Sequence, residues 1–372
     1  MKKVALRIYK WILFSIILQV TIYLFINNIY LSNRSHIADS VKFVPAAASP
    51  TEIPKKEEPE KGVLLPPNVK NIAISYDQTL AAYVVDNKLE IFDLINKKVR
   101  KTLSPQFSNT ENENVKNKIE GEITAFKWLS DKNTLIYALS VKSDAPARVQ
   151  ITTYDADSDK SYTGVTMTNN YLPDGSAITD LIISPLNMII YAKTRIYETQ
   201  ARFYRINIMN EIYASFTTSI DASAKIGRYG EVLLYQDKDF KLYRKMGMYN
   251  APMQLQFTSK MALLDLIAKE SEGKDYVYAG ELNEEGKVQK IYSGKAEAPA
   301  SEWTAMNLKE PLNPENILIG KTGSVFFMKE NENAIYNLQT NVKTTFAGKF
   351  IGITGNSIAH LDHDLLKFTL LK

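Results

Sequence analysis

Asn71-Ile72-Ala73-Ile74-Ser75-Tyr76-Asp77-Gln78-Thr79-Leu80-Ala81-Ala82-Tyr83-Val84-Val85-Asp86-Asn87-Lys88-Leu89-Glu90-Ile91-Phe92-Asp93-Leu94 is the stretch that decides the fold. Short runs rich in Val, Ile, Tyr and Phe alternate apolar and polar positions, and residues such as Ser, Asp and Asn punctuate them. That pattern predicts β-strands joined by tight turns, because side chains on a strand point alternately to its two faces. Including residues 98–103, the stretch holds four runs, at 71–75, 79–85, 88–94 and 98–103. Helical periodicity is nearly absent.

The grouping in fours recurs along the chain. A second set falls at 123–128, 134–139, 149–154 and 162–167, and further sets occupy about 177–218, 222–257, 261–307 and 315–346. The last set, within residues 349–372, has only three runs, at 350–354, 357–361 and 365–371. A circular β-array must close, and Val63-Leu64-Leu65, just before the first set, can supply the missing strand. Six full sets and one composite set predict an all-β fold, a β-propeller of about seven blades.

Ser75-Tyr76-Asp77-Gln78-Thr79-Leu80-Ala81-Ala82-Tyr83 resembles the Ser-Pro-Asp-Gly-x-x-x-Ala-Tyr hairpin of TolB-like and dipeptidyl-peptidase-IV-type β-propellers. Trp128-Leu129-Ser130-Asp131-Lys132-Asn133-Thr134-Leu135-Ile136-Tyr137 and Ser184-Pro185-Leu186-Asn187-Met188-Ile189-Ile190-Tyr191 are similar to the same unit. Of the motif's Pro, only Ser184-Pro185 keeps it, and its Gly is replaced at Gln78 and Lys132. The chain is also WD-repeat-like in period, although it lacks the WD dipeptide signature. The resemblance covers residues 68–372 and implies a fold; it is nearly silent on function.

Working outward from the repeats, uncharged and mostly apolar residues 11–31 follow Lys2, Lys3, Arg7 and Lys10. At about 1.5 Å per residue such a run spans about 30 Å, the width of a bilayer core. The cations before it predict that residues 1–10 form a short cytoplasmic tail and that everything after the transmembrane helix is extracytoplasmic. Ser32-Asn33-Arg34-Ser35-His36 offers no small-residue cleavage site, so an anchor is expected in place of a signal peptide. Residues 32–61, with Pro45, Pro50, Pro54 and Pro59 around Lys55-Lys56-Glu57-Glu58, read as a disordered, extended tether. Residues 62–372 then form the propeller. The localisation implied is the cell membrane of a bacterium, with the C-terminal domain in the cell envelope.

The formal charge of +4 comes from the anchor region. Five of the 45 basic residues lie in residues 1–34, which leaves 40 basic against 41 acidic in the remainder. A near-neutral ectodomain argues against nucleic acid as a partner. With no cysteine, its stability must come from packing.

No residue set carries a signature of catalysis. His36, His360 and His363 are the three histidines, and no Gly-x-Ser-x-Gly elbow occurs, which argues against a Ser-His-Asp hydrolase. Asp155, Asp157 and Asp159 copy the first spacings of a calcium loop, but Lys160 stands where Gly is needed and Thr166 where Glu is needed, so a polar hairpin turn is expected. His360-Leu361-Asp362-His363-Asp364 reads as a solvated turn of the last hairpin, and Gly320-Lys321-Thr322 as a chance match to a phosphate loop. Neither metal nor cofactor is expected.

Residues 193–249 hold ten basic residues against six acidic, interleaved with Tyr197, Phe203, Tyr204, Tyr213, Tyr229, Tyr235, Tyr243 and Tyr249. Such a mixture can hold an anionic polymer or peptide through charge and stacking, although tyrosine is also simply a good strand residue. In a four-stranded blade the links from strand two to three and from strand four to the next blade share one side of the disc. The connections at 104–122, 168–176, 193–201 and 309–314 are long and belong to that side. Arg195, Tyr197 and Arg202 are therefore the candidate binding residues. The expectation is a single-pass membrane protein that is not an enzyme, whose propeller binds or scaffolds an envelope protein or wall polymer. The alternatives are an extracytoplasmic enzyme with central carboxylates and a sensor that regulates a membrane kinase or peptidase.

Overall fold

Each run in residues 71–103 becomes a strand. Together β2 (Lys70–Ile74), β3 (Leu80–Val85), β4 (Lys88–Asp93) and β5 (Lys98–Leu103) form one antiparallel sheet in sequence order. Ser75 Oγ accepts the Leu80 N–H at 3.0 Å and donates to Asp77 at 2.9 Å, so the quoted Ser-x-Asp unit itself closes the first turn. The computed structural model describes Gln19 and residues 62–107, 121–141, 147–168, 170–184, 186, 189–207, 209–329 and 332–371. Apart from Gln19, the expected membrane span 11–31 and the tether 32–61 lie outside them. No helix among the described residues is long and apolar enough to cross a membrane.

Five further sheets repeat the first. The second is β6 (Gly121–Trp128), β7 (Thr134–Val141), β8 (Val149–Asp155) and β9 (Lys160–Met167); the third is β10 (Ala177–Ser184), β11 (Ile189–Arg195), β12 (Gln200–Ile206) and β13 (Ile212–Ser219). The fourth comprises β14 (Ser223–Ile226), β15 (Val232–Gln236), β16 (Leu242–Met246) and β17 (Met253–Gln254). In the fifth are β18 (Met261–Lys269), β19 (Lys274–Leu282), β20 (Val288–Lys295) and β21 (Thr304–Leu312), and in the sixth β22 (Ile317–Ile319), β23 (Val325–Met328), β24 (Ala334–Asn337) and β25 (Lys343–Thr345). The seventh sheet takes β26 (Lys349–Thr354), β27 (Ser357–Asp362) and β28 (Leu365–Leu370) from the end of the chain and β1 (Val63–Leu64) from before the first sheet. Val63 pairs with Leu366 and Leu64 with Leu365. The molecule is a seven-bladed β-propeller closed by that two-residue strand.

The second strand of a blade is buried on both faces, as in β3, β7 and β15, which explains its near-continuous apolar run. In β3, Leu80 and Ala82 pack toward the second blade, while Ala81 and Tyr83 pack toward the seventh. In β15, Val232 and Leu234 face the fifth blade, and Leu233 and Tyr235 the third. Among the described residues there are seven apolar clusters, one at each seam between neighbouring blades. First strands β26, β2, β6, β10, β14, β18 and β22 follow one another side by side around the axis. In five of them the pairing with the second strand slips at a bulge, including those at Asp180 and Asp265.

Of the connections on the side of Arg195, 168–176 is as long as the sequence suggests, between the end of β9 at Met167 and the start of β10 at Ala177, but two others are shorter. Strand β11 runs to Arg195 and β12 starts at Gln200, so 193–201 is a four-residue turn flanked by strand. Most of 309–314 is likewise strand, because β21 continues to Leu312. Of 104–122, residues 108–120 lie outside the described set.

Candidate binding surfaces and the central channel

Arg195, Tyr197 and Arg202 all lie at one hairpin end. Tyr197 sits in the turn at 60% exposure, and its N–H reaches the Gln200 carbonyl at 3.3 Å. Arg202 pairs with Thr194, and Arg195 with Ala201. Cross-strand partners share a face and neighbours alternate, so the two arginines leave the sheet on opposite sides. Arg202 donates from Nε to Thr217 Oγ1 at 3.3 Å.

Part of the wider basic and aromatic cluster is interior. Phe203, Phe216, Tyr235 and Tyr243 stack in series at centroid distances of 4.8, 4.6 and 4.9 Å across the seam between blades three and four. Arg205, buried, reaches Glu231 of the next blade with Nε and, at 2.9 Å, with Nη2; Tyr191 donates to the same carboxylate at 2.9 Å. Burial opposes the Glu231 charge, yet the Arg205 and Tyr191 hydrogen bonds prevail and hold its pKa below the usual value. Arg244 donates to the Ala296 and Ala298 carbonyls of blade five. Lys245 spends its ammonium on three carbonyls of its own turn, those of Gly247, Met248 and Asn250. Arg205, Arg244 and Lys245 are struts of the disc; among the aromatic members Tyr197 and Tyr249 are left strongly exposed, as are the basic Arg195, Lys238 and Lys241.

The motifs set aside in the sequence resolve into local chemistry. Asp155 accepts from Asp157 N–H and Ser158 Oγ, whereas Asp159 accepts from Tyr154 and faces Lys101, so these carboxylates serve a turn between β8 and β9. His360 lies within β27 and not in the turn, which corrects the solvated reading of that histidine. It is buried at 2% exposure, with Nδ1 2.6 Å from the Ala347 carbonyl and Nε2 3.0 Å from Thr369 Oγ1. His363 occupies the turn, exposed, beside Asp362. Gly320-Lys321-Thr322 is the tight turn between β22 and β23, where Gly320 N–H bonds the Ser324 carbonyl.

A concavity lies on the opposite side from Tyr197, where turns between first and second strands surround the channel mouth. Its volume is about 1170 Å³. Ile182, Ile183, Ile226, Leu266 and Ile267 supply apolar wall, and Lys127, Lys225 and Asp265 supply charge. Lys225 and Asp265 pair at 3.2 Å, and the Asp265 carboxylate also accepts the Leu266 N–H. Asp180, at the equivalent bulge of blade three, accepts the Leu181 N–H. Lys127 is open to water within the channel yet ringed by protein; lost hydration lowers its pKa, against the pull of Asp180.

At the mouth, Arg228 carries the geometry. The backbone N–H groups of Arg228, Tyr229 and Gly230 all donate to the buried Asp275 carboxylate, at 2.8, 3.0 and 3.2 Å. Ser184 Oγ donates to the Gly227 carbonyl from the other neighbouring blade. A Cβ on Gly227 would collide with Asp275, so glycine is required by close approach. Thus held, Arg228 extends Nη1 to Glu270 at 2.8 Å and Nη2 toward Asp131 of blade two at 3.9 Å. Sequence reading passed over this site. The one available signal was the pair of glycines around Arg228-Tyr229, since Asp275 is remote in the chain.

No protein-family model matches the chain, and no curated protein matches it. Among solved structures, it is similar to the β-propeller domain of Cps50 (Swd1) from Myceliophteria thermophila, at 11% identity and a TM-score of 0.48, over 82% of this chain and 100% of that one. Hsv2 from Kluyvelomyces marxianus is similar at 9% identity and a TM-score of 0.46, over 81% and 96%. The assignment of the fold rests on the seven sheets and their closure.

Proposed function

We propose that this chain is a single-pass membrane protein whose propeller is an extracytoplasmic binding or scaffolding module for a protein or wall component of the cell envelope. The single observation that carries the reading is the closed disc. Seven interlocked blades hold two loop-bearing faces rigid, and rigid scaffolds with exposed loops are suited to binding. Residues 11–31 serve as the span, 1–10 as the cytoplasmic tail and 32–61 as the tether that sets the disc away from the bilayer. Kinship with TolB-like propellers belongs to the same proposal, on the hairpins at Ser75, Trp128 and Ser184. Arg195, Tyr197 and Arg202 are proposed as contacts on one face.

Carboxylates do line the channel, as an enzyme would require. Asp265 is engaged by Lys225 and by the backbone, and Asp131 faces Arg228. The arrangement favours holding a ligand over cutting one, and the module is proposed to work without bond chemistry.

The test has two parts. Protease added to intact, wall-stripped cells should degrade residues 62–372 and leave the N-terminus; full protection would reverse the orientation. A photo-crosslinking residue at position 197 in the full-length chain should trap an envelope protein or wall fragment in living cells. No adduct from position 197, nor from position 76 on the other face, would remove the binding reading.

A further inference from the structure

The cavity of about 1170 Å³ at the channel mouth is lined by more positive than negative charge. Among its described lining residues are five cations and four carboxylates. Lys225 holds Asp265 at 3.2 Å, Arg228 reaches Glu270 at 2.8 Å and Asp131 at 3.9 Å, and Lys269 lies 3.9 Å from Glu272. Every carboxylate on the wall is thus served, and two lysines are left over. Lys321 places its ammonium 5.5 Å from the centre of the Tyr76 ring. Lys127 has no hydrogen bond, ion pair or ring contact among the described residues, and it is exposed within the cavity.

Lys127 stands on β6, the first strand of blade two, and the charges it feels belong to blades three, four and five: Asp180 and Asp265 attract it, and Lys225 repels it. Both aspartates are already engaged. Asp180 lies opposite Lys193 across β10 and β11 and accepts the Leu181 N–H, and Asp265 has Lys225 and the Leu266 N–H. An ammonium that has lost hydration without gaining a partner is poised to take an anion from solution, because charge-assisted hydrogen bonds are among the strong ones.

We infer that the cavity binds a small organic monocarboxylate, its carboxylate on Lys127 Nζ and its aliphatic body against Ile183, Ile226 and Leu266. This site is separate from the Tyr197 face and needs no macromolecular partner. The three aliphatic side chains are half-buried and line the same cavity, so they offer apolar wall beside the charge. Charge sets the class of ligand. One carboxylate cancels the excess cation, whereas a phosphate monoester would bring roughly two negative charges beside four carboxylates. A neutral sugar would leave Lys127 without a counter-charge, and the Tyr76 face on which its ring would stack is taken by Lys321.

Equilibrium dialysis of radiolabelled hexanoate against the full-length chain in amphipol tests this, with hexanamide as the uncharged twin. Hexanoate should bind saturably, and hexanamide at least about tenfold more weakly. Lys127→Met keeps the length of the side chain and removes its charge; it should weaken hexanoate about tenfold or more, the scale of a lost hydrogen bond between charged groups, while Lys127→Arg should retain binding. Hexanoate held equally by the parent and by folded Lys127→Met overturns the inference, as does no saturable binding up to about 10 mM. So does hexanamide held as tightly as hexanoate, a comparison that needs no variant. Hexyl phosphate held tighter than hexanoate, with the same loss in Lys127→Met, overturns the monocarboxylate class. N-acetyl-leucine, which mimics the end of a polypeptide, separates the two sources of such a carboxylate: tighter binding than hexanoate assigns a chain end and weaker binding a free acid, both supporting the site where Lys127→Met abolishes them. Crosslinking from position 197 reads the other face, so the loss of either proposal leaves the other standing.

Discussion

The seam between blades three and four and the seam between blades seven and one do the same job by different physics. At the first, four rings stack in series and a buried Arg205–Glu231 pair crosses from blade to blade, with Tyr191 on the same carboxylate. At the second, the crossing is almost wholly apolar: Val63, Leu65 and Leu366 against Ala81, Tyr83, Phe92 and Leu94. A polar bond from Gln78 to the Thr354 carbonyl, 3.0 Å, joins the turns there. An apolar seam is tolerant of detail but depends on every residue being present. A charged seam tolerates no half-measures, because a buried ion without its partner is expensive.

The largest expected effect breaks the apolar seam. A chain starting at Asn68 lacks Val63 and Leu65, both 2% exposed, and leaves β28 as an open edge. Losing two buried aliphatic side chains costs about 3–6 kcal/mol, and the exposed edge invites association. Compared with a chain starting at Gly62, it should unfold at markedly lower denaturant concentration and sediment as aggregate. Equal unfolding midpoints for the two would show that the ring does not need its closing strand.

Next comes the charged seam. Glu231→Ala strands the Arg205 guanidinium among the side chains of two blades and should cost about 3–5 kcal/mol. The double variant Arg205→Met/Glu231→Leu removes both charges and should recover most of that loss. Urea titrations of the three proteins measure it. A single variant as stable as the parent would mean that water reaches the pair and that the seam rests on the rings alone.

These two seams also show what could be read from the residues. The closing strand was visible because its signal is local: three apolar residues before the first set and a set at the end with one run too few. Strand alternation is equally local, so the sets of four survive almost to the residue. The charged seam was invisible. Arg205 and Arg244 look like surface cations in the sequence, and whether a cation is buried depends on which carboxylate or carbonyl the adjacent blade presents. The same holds for Asp275, which reads as an ordinary strand-start aspartate until the turn at Gly227 packs onto it. Connection lengths were misjudged at Arg195 and Lys309 because the strands there continue through polar residues, which period-two patterning does not flag.

A smaller effect sharpens the contrast at the seventh blade. His360 is the titratable group buried in that blade, and its burial pushes the imidazole pKa below the usual 6.5, partly offset by the Ala347 carbonyl, with Lys367 lowering it further and Asp362 raising it. Well above pH 6.5 the ring is neutral in both folded and unfolded chains and costs nothing. As pH falls through that value the unfolded chain takes up a proton that the folded chain resists, so stability declines. The midpoint of thermal unfolding should therefore fall between pH 7.5 and 5.5, and His360→Gln should flatten that slope. An unchanged slope would assign the dependence to other groups.

The smallest expected effect on folding lies on the same blade as the charged seam, a few residues from Arg205. Arg195 and Tyr197 are exposed, and Arg202 makes one long hydrogen bond, 3.3 Å, to Thr217. None of the three crosses a seam. Substitutions of that kind usually stay within about 0.5 kcal/mol each. Arg195→Ala/Tyr197→Ala/Arg202→Ala should thus unfold within about 1.5 kcal/mol of the parent in urea, against several times that for Glu231→Ala. If these residues contact the partner, the folded triple variant should lose in-cell crosslinking from the neighbouring position 198. Full crosslinking by a folded triple variant would move the contact off this hairpin, and a large loss of stability would mean that this end of the blade carries load that its exposure conceals.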